Sequence, residues 1–393
     1  MSTPPNAEEN PRPVPPGLQK FWSGPVSVFA TLPDPGLSPA WQERHRIYSQ
    51  CLMAIMWRLW NGNKYGETGD YGAWRANQLT SPLQSGGNLY RGGTYLGHNI
   101  AALAVDYYGQ ILDYDFNHNN VFDSSVEHAE SRLVRRLFAL NQVYDPLTGN
   151  VTPSPPASSL AARPEVPTHH RTLAEAAAGR DHALKLRRFA TAVSDRARTA
   201  PALGAAAVTS GYASLLSDVT LYTSLESCAQ CSGIMTLASV EEIVYLQWDQ
   251  GEFLVGNLMY QATQAQNALG QGGFTAPRPI RGDDIGMDSF MALNNGNDAF
   301  SQQVANQPFY TDGSFTVNTP SVTSYLCTDG AFQIYESVAL AFLWGYPDQP
   351  LEFPDFVPVA EDGVLTNAEV LSNALTFYSY VDQLGNRGTA HRV

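Results

Sequence analysis

Leu221-Tyr222-Thr223-Ser224-Leu225-Glu226-Ser227-Cys228-Ala229-Gln230-Cys231-Ser232-Gly233-Ile234-Met235 is the stretch that decides how this chain folds. From Val219 to Leu225 it reads as a strand, and a helix opens at about Ser227. Cys228 and Cys231 stand three apart, so both sulfurs fall on one face of the helix's first turn. The positive end of that helix favours thiolate over thiol. Far upstream, His128-Ala129-Glu130 offers an imidazole and a carboxylate. Ser124-Ser125-Val126-Glu127 has the form of a capping box, so a second helix is expected to begin there, with His128 and Glu130 in its first turns. Leu133, Val134, Leu137 and Phe138 give it an apolar stripe. Two strands are expected before it. Asn99 to Val105 is a nearly continuous apolar run suited to a buried strand, and Leu112, Tyr114 and Phe116 alternate with Asp113 and Asp115 as in a half-exposed one.

Two helix starts, each fed by a strand, would thus bring one imidazole, two thiolates and a carboxylate together. A catalytic zinc site needs three protein ligands, an open fourth position and a nearby acid/base. His128, Cys228 and Cys231 fill the ligand role, and Glu130 the acid/base role. A C-x-x-C with one His also suits a structural zinc site, although such sites usually close with a fourth Cys or His.

An H-x-E half followed by a C-x-x-C half resembles the signature of the zinc-dependent nucleobase deaminases. The run from Leu221 to Met235, continuing through Ile243-Val244-Tyr245 to Asp249, is similar to the cytidine/deoxycytidylate deaminase superfamily, nearest its tRNA adenosine and deoxycytidylate deaminase branch. The likeness spans roughly residues 40–143 and 218–250, a little over a third of the chain. It implies a three-layer α/β/α core with a mixed, roughly five-stranded sheet, and Zn2+ as cofactor. It further implies hydrolytic deamination of cytosine or adenine with Glu130 moving the protons. The branch points to a base within a nucleotide or a single-stranded nucleic acid, and homo-oligomers are common in it. Asn117 stands where the family commonly places a substrate-binding Asn; capping the turn before the helix is the other reading of that residue. Two departures stand out. Ser227 occupies a position usually held by Pro, a mild change at a helix start, and 97 residues separate Glu130 from Cys228. A zinc-stabilised nucleotide- or nucleic-acid-binding module without catalysis is the alternative; a carboxylate at Glu130 has no use in it. A secreted effector is disfavoured by the lack of an export signal.

The 393 residues suffice for a large core. Four cysteines, two of them assigned to metal, argue for a reducing, cytoplasmic setting rather than a disulfide framework. Cys51 reads as a core-helix thiol, Cys327 as a buried one, and His98 and His169-His170 as solvated. Residues 1–38 form a Pro-rich lead-in expected to be disordered, and no apolar run is long enough to span a membrane. A deaminase-like domain over 39–250 is expected, opening with a helix from Ser38-Pro39 and interrupted by an insertion at about 144–217. The insertion's second half reads as an amphipathic helix, Thr172 to Arg198; its basic residues, with Arg132, Arg135 and Arg136, would alternatively form a rim for phosphates. Residues 251–393 are an acidic extension with helices near Ala331–Trp344 and after the Thr366–Glu369 capping box. Between 249 and 385 lie sixteen acids against only Arg278 and Arg281, a balance equal to the chain's net charge of −14. Covering the core, making a subunit contact and narrowing a substrate mouth are its three open roles.

Overall fold

The computed structural model describes residues 34–60, 89–90, 93–94, 98–119, 124–141, 216–252, 254–268, 273–306, 321–326, 328–346 and 350–384. The lead-in before residue 34, the insertion with its Thr172–Arg198 helix, His169-His170 and Cys327 lie outside these residues.

Five strands form one mixed sheet: β1 (Ala101–Asp106), β2 (Ile111–Phe116), β3 (Val219–Thr223), β4 (Glu242–Tyr245) and β5 (Arg278–Arg281). Their order is β2-β1-β3-β4-β5; β1 runs antiparallel to both neighbours, and β3, β4 and β5 are parallel. Helices cover both faces, the layered solution for a sheet that is apolar on two sides. Helix α1 (Pro39–Arg58) opens with Ser38 as its cap and packs on β1 and β3. Helices α2 (Ala129–Asn141) and α3 (Ala229–Leu237) pack against each other, and α2 also lies on β1, β2 and β3. After β4 come α4 (Val255–Ala268), α5 (Asp288–Asn306), α6 (Val322–Tyr325), α7 (Asp329–Trp344) and α8 (Asn367–Leu384).

Register explains which side chains meet which layer. Tyr114, Leu103 and Tyr222 are paired across β2, β1 and β3, so they share a face. That face meets α1 and α8: Tyr222 lies 5.2 Å, ring to ring, from Tyr48, and Tyr114 lies 5.7 Å from Phe377. Asp115, Ala102 and Thr223 form the alternate row, directed at α2. The turn between β1 and β2 needs Gly109: its φ is +89°, and an added Cβ would run into Arg44.

One expectation fails here. β2 is buried along its whole length, and Asp113 and Asp115 are as inaccessible as the apolar residues between them. The alternation marks two different covers, not one wet face. Arg132 of α2 reaches Asp115 with Nε at 3.3 Å from Oδ1, and α8 covers the apolar row.

Residues beyond Asp249 supply β5 and four helices of eight residues or more, and the buried apolar cluster extends into β5, α5, α7 and α8. Helices α7 and α8 both pack on α1. Two buried charged side chains of α1 fasten the segment between them by hydrogen bonds. The Glu43 carboxylate accepts from Glu352 N at 2.6 Å and Phe353 N at 3.0 Å, while Arg44 donates to Leu365 O at 2.8 Å and Asn367 Oδ1 at 3.3 Å. Of the three open roles, covering the core is therefore met, and Thr323 also places this region on the wall of the cavity described next.

Candidate metal and catalytic site

The site lies where β2 and β3 hand over to α2 and α3. The expected capping box at Ser124–Glu127 does not form. Ser124 Oγ accepts from Val126 N, and the Glu127 carboxylate is taken by Arg132 at 2.8 Å and Arg135 at 2.9 Å. Helix α2 starts at Ala129 instead, and its first N–H is satisfied from a distance: Asn117 Oδ1, at the end of β2, accepts Ala129 N at 2.7 Å. His128 thus precedes the helix and Glu130 sits in its first turn. On α3 the cap is Cys228 itself, whose Sγ accepts from Cys231 N.

These starts bring the ligand atoms together. His128 Nδ1 lies 3.3 Å from Cys228 Sγ and 3.6 Å from Cys231 Sγ, and the three atoms lie within 4.8 Å of one another. Sulfur and nitrogen ligands on a tetrahedral zinc with its usual bond lengths stand about 3.6 Å apart. The donor set and its spacing therefore fit zinc. The charge distribution agrees. Cys228 is pulled down to about 4, first by the hydrogen bond from Cys231, and the same bond together with burial pushes Cys231 well above its ordinary range. Two such sulfurs hold one negative charge readily and a second only against a cation. His128 is raised, chiefly by its contact with Cys228.

Glu130 is buried, and burial pushes its carboxyl upward. Oε1 accepts from Ser227 Oγ at 3.0 Å, with Thr223 Oγ1 at 3.4 Å; Oε2 lies 3.5 Å from Cys231 Sγ. A buried carboxyl beside this cysteine–histidine cluster is placed to carry a proton.

A cavity of about 480 Å³ opens on these groups, with His128, Glu130 and Cys228 in its wall. Asn117 lines it too. Its Oδ1 is committed to the cap, which leaves its amide NH2 as the group that can face the cavity. His98, read from the sequence as solvated, lines the cavity together with Ile100. Asp249 reaches the wall through Glu226, whose carboxylate accepts Asp249 N at 3.2 Å and Leu254 N at 2.8 Å. Leu254 is held there at φ +60°, a conformation disfavoured outside glycine. The rim reading loses two of its cations: Arg132 and Arg135 are engaged by Glu127, and Arg132 by Asp115 as well.

No protein-family model matches this chain, and no curated protein does. Among solved structures it is similar to one from a study of A-to-I editing by tRNA:A34 deaminases at the wobble position of transfer RNA. The likeness covers 48% of this chain and 82% of the other, at 12% identity and a TM-score of 0.21. The class defined by the fold and the site is an α/β protein whose mixed sheet presents a His/Cys/Cys metal-type triad beside a buried carboxylate.

Proposed function

We propose that this protein is a zinc-dependent hydrolytic deaminase acting on a cytosine or adenine base, within a nucleotide or nucleic acid. The observation that carries the reading is the buried Glu130 carboxylate against three potential ligand atoms at zinc spacing, with Glu130, His128 and Cys228 on one cavity wall and Cys231 buried behind them. His128 Nδ1, Cys228 Sγ and Cys231 Sγ would hold the zinc, whose contribution when bound is to acidify water for attack on the amino-bearing ring carbon.

The protein's own groups do the rest. Glu130 takes one proton from water at Oε2 and delivers it to the ring nitrogen; it then takes the proton of the hydroxyl added to the ring carbon and gives it to the departing amine, so that amine and water become carbonyl and ammonia. Asn117 offers its NH2 as a donor to the base or sugar. The sheet and α2 wall off the side away from the cavity, which keeps the Glu130 carboxyl dry. Thiolate ligands call for a reducing compartment, and among the described residues no helix is long and apolar enough to cross a membrane.

The test is a substrate screen read by mass spectrometry. Wild type and Glu130→Ala are incubated with pooled nucleosides, nucleotides, single-stranded DNA and tRNA. Conversion of an amine to a carbonyl, a gain of about one mass unit, by the wild type alone supports the reading and names the base. No conversion by zinc-loaded wild type favours the binding module.

A further inference from the structure

We infer that Ser227 is a positioning residue for Glu130, an inference that rests on the catalytic reading above. From the sequence, Ser227 counts only as a tolerable helix-start residue. In the fold its hydroxyl lies 3.0 Å from Glu130 Oε1, and both residues are buried, at 4% and 3% exposure. The proton has one place to go, since among the described residues Glu130 is the acceptor that Ser227 Oγ meets. Thr223 Oγ1 approaches the same oxygen at 3.4 Å, but its single proton is better placed on Leu225 O at 3.0 Å. Ser227 is therefore the side-chain donor that fixes which carboxylate oxygen faces inward.

The consequence is a division of labour between the two oxygens. Oε1 is tied to the turn between β3 and α3, and Oε2 is left on the sulfur side of the site, 3.5 Å from Cys231 Sγ. A glutamate side chain, with three rotatable bonds, has several rotamers, and a buried donor to one oxygen selects among them. Because Ser227 directly precedes Cys228, the same backbone that sets a metal ligand also sets the acid/base. Orientation of this kind acts on the chemical step rather than on substrate binding.

The test compares Ser227→Ala, Ser227→Pro and Ser227→Thr with the wild type. Alanine and proline both remove the hydroxyl, and proline also suits a helix start; threonine keeps the donor. The expected result is a kcat lower by about ten- to a hundredfold in the alanine and proline variants, from loss of one hydrogen bond to a charged group. KM should stay within about twofold, zinc at one per chain, and threonine should recover most of kcat. Unchanged kcat, or a loss of zinc that parallels the loss of rate, would overturn the inference. Crystal structures of wild type and Ser227→Ala decide the point independently of turnover. Glu130 leaving its position in the variant supports the inference, and Glu130 unmoved sinks it. If the wild type converts nothing in the screen, the deaminase reading fails while these structures still judge Ser227.

Discussion

Asn117 Oδ1 caps Ala129 N at 2.7 Å, so the residue that starts α2 is also one that lines the cavity beside Glu130. The two roles use opposite ends of one amide and can be separated. Asn117→Asp keeps an acceptor for the helix and loses the NH2 donor; Asn117→Ala loses both. The aspartate variant should melt close to wild type yet lose at least tenfold in kcat/KM. The alanine variant should in addition lose about 1 kcal/mol of stability, the usual worth of a cap. Thermal melts and steady-state rates check this; an aspartate variant with full activity would confine Asn117 to capping.

Metal binding and proton transfer should also separate. Cys228→Ala removes a ligand and should abolish stoichiometric zinc, as should Cys231→Ala. Glu130→Ala, which touches the triad only through Oε2 at 3.5 Å from Cys231, should retain about one zinc per chain and lose activity by several orders of magnitude. Elemental analysis of the purified variants decides it. Equal zinc loss in the Glu130 variant would make that carboxylate a ligand and undo the division of roles.

What the sequence revealed and what it hid have physical causes. The two halves of the cluster were legible because each is local: Cys228 and Cys231 share one helical turn, and His128 and Glu130 flank one helix start; the fold brings the halves together across about a hundred residues. The Thr366–Glu369 box was legible for the same reason and forms as expected, with Thr366 N donating to Glu369 Oε2 at 2.8 Å and Glu369 N to Thr366 Oγ1 at 3.2 Å. The similar-looking box at Ser124–Glu127 fails because two arginines compete for Glu127 and a distant asparagine reaches the helix first. The burial of β2 could not be read because a period of two shows that a strand has two faces and not what covers each: α2 brings Arg132 to Asp115 on one, and α8 lies on the other. The contact of Ser227 was missed for a related reason: its partner Glu130 lies 97 residues away on another element, and no local period reports on that.

Arg132 offers a stability test of the burial of β2's acidic row. It bridges Asp115 and Glu127 with its side chain only 14% exposed, and Asp115 is wholly buried. Arg132→Met should cost about 3 kcal/mol, because a charge is left buried beside a broken pair. Arg135 meets the same Glu127 but is 55% exposed, and Arg135→Met should change stability by less than about 1 kcal/mol. Denaturant midpoints at constant slope measure both. Equal effects would mean that Asp115 is neutralised some other way.

His45 should make the fold acid-sensitive. It is fully buried on α1, stacked on Trp41 at 5.4 Å, with Nδ1 2.8 Å from Tyr222 Oη. Nε2 finds no partner among the described residues, and burial lowers the imidazole to about 4. The unfolded chain binds this proton near 6.5 and the folded one only near 4, so the group's contribution is fully present above 6.5 and is lost as pH falls through 4. The shift corresponds to roughly 3 kcal/mol at most. His45→Phe keeps the ring volume and removes the titration, at the cost of the Tyr222 hydrogen bond. Its melting temperature should sit below wild type at pH 7, and the gap should narrow or reverse by pH 4.5. A gap that stays constant across that range would show that His45 titrates alike in both states, and that its burial leaves no mark on the pH dependence of folding.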